Sequence, residues 1–300
     1  MRKTTTLITV LLLAACGGGE AQKTADSSTV VAEQPTTQPA SAEPAQTETQ
    51  RPALTLEDAA TGAHRSPENI ARNDWRHPVE TLTFFGLEPG MTVVEVWPGG
   101  GWYSEVIAPA LGPDGQLIAA SYAPIPDEPD SYRTKGHAKY DARLKAEPIF
   151  ANARHGMLQP PEKVDIGAPG SADLAVTFRN THSFVSGEIA DQVFAELFKV
   201  LKPGGVLGVV QHRANEGADP ATSVKTGYLP EQFVIDLATK AGFELVEKSE
   251  INANPKDTKD HPEGVWTLPP GYRLGEKDRA KYEAIGESDR MTLKFRKPAQ

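Results

Sequence analysis

Residues 93–103 read Val93-Val94-Glu95-Val96-Trp97-Pro98-Gly99-Gly100-Gly101-Trp102-Tyr103. A short apolar run from Met91 to Val96 suits a buried strand, and a helix-like stretch, Tyr103–Leu111, follows the glycines at once. A strand that ends in a carboxylate and turns through glycines into a helix suits a nucleoside ligand. Glycines admit backbone close to a ligand, and a helix N-terminus offers unpaired N–H groups. A glycine cluster also serves a plain tight turn, so the surroundings have to decide.

Outward from this stretch, strand-like and helix-like segments alternate. Before it, Pro78 opens a helix carrying Val79, Leu82 and Phe85 inward, stopped by Gly86 and Pro89-Gly90. After it come a strand at Gln116–Ser121, a helix around Tyr140, a weak strand at His155–Leu158 and a strand at Asp173–Arg179. Ile189, Val193, Phe194, Leu197, Val200 and Leu201 form one apolar helical face, ended by Lys202-Pro203-Gly204-Gly205. Val206–Gln211, a helix after Pro230, and strands at Phe243–Ile251 and Met291–Arg296 complete the series. Such alternation predicts an α/β fold, a parallel sheet covered on both faces by helices. Ligands of open α/β sheets sit at the carboxyl ends of the strands. The loops after Val96, Ser121 and Arg179 should therefore meet.

The glycine loop and the Leu201-Lys202-Pro203-Gly204-Gly205 turn, about a hundred residues apart, together resemble the class I S-adenosylmethionine-dependent methyltransferases. More narrowly, the chain looks like a group of bacterial "predicted methyltransferases". Arg76-His77-Pro78, Pro98–Tyr103, Arg179-Asn180-Thr181-His182 and Gly286-Glu287-Ser288-Asp289-Arg290-Met291 carry that likeness. It covers roughly residues 64–297 and implies a Rossmann-like α/β fold of seven mostly parallel strands, with helices on both faces and an antiparallel last strand, and methyl transfer from S-adenosylmethionine to a small-molecule acceptor. By the resemblance, Glu95, Gly99, Gly100, Gly101, Ser121 and Tyr122 bind the cofactor. Two departures stand out: Trp97 replaces the first motif glycine, and no acid closes the second strand to hold the ribose.

The resemblance places Arg179, Asn180 and His182 beside the transferring methyl. His182 could act as general base and Asn180 could position the acceptor. Equally, the polar run could tie the strand end to neighbouring loops. Arg76, His77, Tyr103, Asp289 and Arg290 are candidates for the acceptor pocket, although Asp289-Arg290 would also serve as a local ion pair. Trp75, Trp102, Tyr103 and Trp266 could stack on an adenine or serve the core. His64, His77, His137, His155, His182, His212 and His261 show no close ligand spacing, so no metal site is expected.

The N-terminal part has a different character. The chain has 300 residues, 31 Lys+Arg against 40 Asp+Glu, 26 glycines, 25 prolines and one cysteine. That acidic balance argues against nucleic acid, and one cysteine excludes an internal disulfide. Every aromatic residue lies at or after Trp75. Arg2 and Lys3, the apolar run Leu7–Ala15 and Leu13-Ala14-Ala15-Cys16 read as a secretory signal, residues 1–15, ending in a sequence that resembles a bacterial lipobox. Cys16 would be the lipidated residue, followed by a disordered tether to residue 52 and the folded domain from 53 to 300. Loss of Arg2 and Lys3 takes the net charge from −9 to −11. The expectation is a periplasm-facing lipoprotein of the bacterial cell envelope, held to the membrane only by its anchor. Gly17 after Cys16 resembles outer-membrane sorting. Export conflicts with a cofactor made in the cytosol. The alternative is therefore an inactive methyltransferase-fold protein that binds another small molecule or a protein partner.

Overall fold

Most strands of this chain are short apolar runs between turn residues, and their order in the sheet follows from the crossovers. The structure, a computed structural model, describes residues 52–299. The signal, Cys16 and nearly all of the tether fall outside the described residues. Eight strands form one sheet: β1 Thr92–Val96, β2 Gln116–Ser121, β3 Ala153–Gln159, β4 Lys163–Asp165, β5 Ala172–Phe178, β6 Leu201–His212, β7 Glu244–Ser249 and β8 Arg290–Arg296. Their order is β4-β3-β2-β1-β5-β6-β8-β7. Pairings among β3, β2, β1, β5 and β6 are parallel, while β8 runs antiparallel to both β6 and β7.

The expected count of seven strands is corrected to eight. β4 is three exposed residues that return antiparallel along β3. So short and polar a segment has no hydrophobic alternation by which to be found. The Lys202-Pro203-Gly204-Gly205 segment also differs in detail, since Leu201 already pairs with Ala172 and the segment lies within β6.

Period-two alternation splits the strand residues between two cores. Val94, Ile118, Ala175 and Leu207 pack with Val193, Phe194, Leu197, Val234 and Ala238 of the helices Ala190–Val200 and Glu231–Lys240. Val93, Leu117, Val176 and Val210 face the opposite way, against Leu82, Phe85, Val106, Ile107 and Leu111. That second layer is built by the helices Leu56–Thr61, Pro78–Phe85, Ser104–Leu111 and Tyr132–Ala146. Gly208 marks how closely it fits: a Cβ there would lie 2.5 Å from the Phe85 ring. Glu95 has the parity of Val93, so its carboxylate enters the second layer, where nearly everything else is apolar.

Candidate functional site

The carboxyl ends of β1, β2 and β5 do converge. They floor a cleft of about 970 Å³ lined by Glu95, Trp97, Gly99, Gly100, Tyr122, Arg179, Asn180 and His182. Arg76, Tyr103, Trp102 and Trp266 complete its wall.

At the β1 end the backbone is shaped for close approach. Gly99 has φ +61°, and a Cβ built on Gly99 or Gly100 would meet nothing within 4 Å. These two glycines are open to the cleft. Gly101 is not; its φ is +85° and a Cβ would stand 2.7 Å from the Tyr140 ring. Gly101 therefore serves the packing of the helix Tyr132–Ala146 and does not line the cleft. Trp97 also adopts a left-handed conformation, φ +47°. Its Nε1–H donates to Leu158 O at 2.9 Å, and its ring meets Tyr122 and Phe184 edge-on. Packing on three sides holds a conformation that a glycine would adopt without strain.

Glu95 is buried beneath this loop. Ser104 Oγ donates to its Oε2 at 2.5 Å, and the Tyr140 hydroxyl lies 2.6 Å from Ser104 Oγ. Burial pushes the carboxyl up to about 7; the Ser104 hydrogen bond and the nearby Arg179 charge pull the other way. A cation arriving in the cleft would draw this group into its ionised form.

Ser121 does not face the cleft. Its Oγ lies 2.8 Å from His155 Nε2, whose Nδ1 is 3.2 Å from Asp141 Oδ1, so the hydroxyl is committed beneath the sheet end. Tyr122, Arg133 and Gln159 line this part of the cleft instead. Arg133 Nη2 donates to Gln159 Oε1 at 2.5 Å and stands over the Tyr122 ring. A cation and a phenol thus occupy this end of the cleft.

The β5 end is a cluster of charge. Asn180 Nδ2 donates to Val96 O at 2.8 Å and to Trp97 O at 3.2 Å, tying the β1 and β5 loops together. His182 lies against the Gln211 amide at 3.4 Å, a long contact. Burial pushes its imidazole down to about 4, and the Arg179 charge works in the same direction. It is a neutral ring at pH 7, far less basic than a free histidine. Arg76 Nε donates to Glu287 at 3.0 and 3.1 Å and its guanidinium stands over the Trp102 ring. The Tyr103 hydroxyl donates to Arg76 O at 2.8 Å, and its ring stacks on Phe178.

Three residues expected in the acceptor pocket are not among those lining the cleft. His77 links two short helices in a left-handed conformation, φ +40°, and lines a separate hollow with Glu57 and Asp58. Asp289 is turned away to Arg213 and Lys259, with contacts of 3.0 and 2.8 Å. Arg290 is spent inside the protein: Nη2 donates to Trp75 O at 2.6 Å, Nε to Ser288 O at 3.0 Å and Nη1 to Glu287 at 3.2 Å. Trp75 packs under Gly286, where any Cβ would collide with its ring. The Gly286–Met291 motif is thus a joint between the N-terminal helices and the sheet.

Glu287, Arg72 and His212 line the cleft without having been singled out. Arg72 and Arg76 lie one helical turn apart, the only local signal that they share a carboxylate. No protein-family model matches the chain, and no curated protein does. Solved structures match about four fifths of the chain. A SAM-dependent methyltransferase from Aquifex aeolicus is 16% identical with TM-score 0.50, covering 77% of this chain and 94% of its own. The cyclase SpnF is 17% identical with TM-score 0.52, covering 82% and 92%. A geranyl diphosphate C-methyltransferase from Streptomyces coelicolor is 11% identical with TM-score 0.51, covering 83% and 90%. The chain shares their fold. Among the described residues, no group of acidic, His or Cys side chains could hold a metal ion, and no helix is long and apolar enough to cross a membrane.

Proposed function

We propose that the cleft binds S-adenosylmethionine and that the protein transfers its methyl group to a small-molecule acceptor. The carrying observation is the open Gly99-Gly100 backbone above the buried Glu95 carboxylate, at the strand end where this fold takes its ligands. When bound, the cofactor supplies a methyl already activated on a sulfonium, so the protein's part is position and orientation. Gly99 and Gly100 would let the backbone approach the cofactor's amino-acid end. Glu95, ionised by the arriving ammonium and sulfonium, would hold it. Tyr103, Asn180 and His182 would border the acceptor, with Asn180 keeping the two loops at a fixed spacing.

Calorimetric titration of the full-length protein with S-adenosylmethionine and S-adenosylhomocysteine tests the reading. Binding should vanish in Gly99→Arg, and it should strengthen severalfold from pH 6 to pH 8 as Glu95 ionises. That pH dependence should be absent in Glu95→Gln. No binding at millimolar ligand would sink the proposal.

The second reading, a retained fold without methyl transfer, draws support from the other end of the cleft. There Ser121 is committed to His155, and Arg133 stands where an acid would grip a ribose. The same titration separates the two.

The lipobox-like sequence supports a cell-envelope lipoprotein facing the periplasm, anchored through Cys16, with Gly17 favouring the outer membrane. Cys16→Ser should move the protein out of the membrane fraction, and an unchanged distribution would refute the anchor.

A further inference from the structure

Four guanidinium groups, those of Arg72, Arg76, Arg179 and Arg290, gather around one carboxylate at the β5 end of the cleft, that of Glu287. Glu287 is fully engaged. It accepts from Arg72 Nε at 2.9 Å, from Arg76 Nε at 3.0 Å and from Arg290 Nη1 at 3.2 Å. Arg290 gives its other donors to Trp75 O and Ser288 O.

Arg179 is left over. Among the described residues its guanidinium donates no hydrogen bond and enters no ion pair, and its Nη1 is sealed from solvent without a partner. Yet the residue lines the cleft beside Tyr103, Asn180 and His182. Its backbone holds φ +64°, strained for a residue with a Cβ, and its N–H donates to Val210 O at 2.6 Å. A buried donor without a partner is costly and calls for an explanation, which a ligand in the cleft would supply.

We propose that Arg179 is the seat of a ligand oxyanion. The molecule that takes the methyl carries a carboxylate or a phosphate, which docks on the Arg179 guanidinium with Arg72 at the rim. This rests on the methyl-transfer reading of the cleft. The guanidinium fork presents parallel donors that match either group, and the single carboxylate of Glu287 leaves the cluster with surplus positive charge. His182 fits the same picture. A neutral, weakly basic imidazole takes a proton poorly from an alcohol or amine, and an acceptor whose attacking group is already anionic has none to give up.

The test titrates the full-length protein with sodium phosphate and, separately, sodium malonate, each with and without S-adenosylhomocysteine. Ionic strength is held constant with chloride. At least one of the two anions should bind below about 10 mM and be weakened about tenfold or more by Arg179→Met, with partial recovery in Arg179→Lys. Whichever anion binds more tightly identifies the source of the charge. Arg179→Met should melt no lower than wild type, because it removes a desolvated charge; the Lys variant keeps the test open if Met does not fold. The proposal is overturned if neither anion binds, or if Arg179→Met leaves anion affinity unchanged. It is also overturned if that substitution weakens S-adenosylhomocysteine as much as the anion, since Arg179 would then hold the cofactor's own carboxylate. Anion binding without S-adenosylhomocysteine binding would break the methyl-transfer reading and leave the Arg179 site standing. The reverse result would break only the present inference.

Discussion

Two carboxylates line the cleft, Glu95 at the end of β1 with 2% exposure and Glu287 in the Gly286–Met291 motif with 3%. Equal burial has opposite consequences. Glu95 meets two hydroxyls, Ser104 and behind it Tyr140, and its pKa rises to about 7. Burial pushes Glu287 upward as well, but Arg76, Arg290, Arg179 and Arg72 outweigh it and hold the group at about 2. Partners, not depth, decide the charge. Glu95 is poised to gain a negative charge when a cation arrives. Glu287 is permanently charged, and the positive surplus of the arginines around it awaits an anion.

The sharpest way to break this contrast is Glu287→Ala. It strips Arg72, Arg76 and Arg290 of their shared counter-ion and should cost about 3–5 kcal/mol in urea unfolding. A loss below about 1 kcal/mol would mean that the arginines are already hydrated. Glu95→Gln should act in the opposite direction. Because the folded-state pKa lies above the unfolded one, ionisation of Glu95 costs the native state nothing below pH 4.5. The cost grows through pH 7 and is complete above it. The variant should therefore match wild type near pH 4 and exceed it by about 3 kcal/mol at pH 8. For Glu287 the sign reverses: its stabilisation is present above pH 4.5 and is lost as pH falls toward 2. The smallest effect is expected from Ser104→Ala. Losing the hydrogen bonds to Glu95 and Tyr140 should cost about 2 kcal/mol and move the Glu95 titration higher still, as read by carboxyl-resolved NMR.

Much of the fold was legible because it rests on short periods. The alternation of Val93, Glu95 and Val94, the Pro78 and Pro230 helix starts and the glycine stops all act within a few residues. The convergence of three loops followed from the parallel order. The partners of the charged side chains did not follow, because they are set by tertiary approach. Arg72 finds Glu287 across 215 positions, and Asn252 bridges Thr81 and Thr292. Within the Gly286–Met291 motif, Glu287 faces the cleft while Asp289 is fixed outside it. The Asp257 carboxylate accepts the Asp289 N–H at 2.8 Å and the Tyr228 hydroxyl at 2.9 Å. Nothing near residue 289 announces Asp257. Ser121 is held by a partner equally invisible locally, His155 on the neighbouring strand.

The tryptophans in the wall of the cleft have a practical consequence. Trp97, Trp102 and Trp266 line it, and the fourth, Trp75, packs beneath Gly286 at its edge. The protein therefore carries its optical reporters almost entirely in the place where a ligand would sit. Occupancy should quench or shift intrinsic emission without any added label, and a Trp97→Phe variant would show how much of that signal arises above β1.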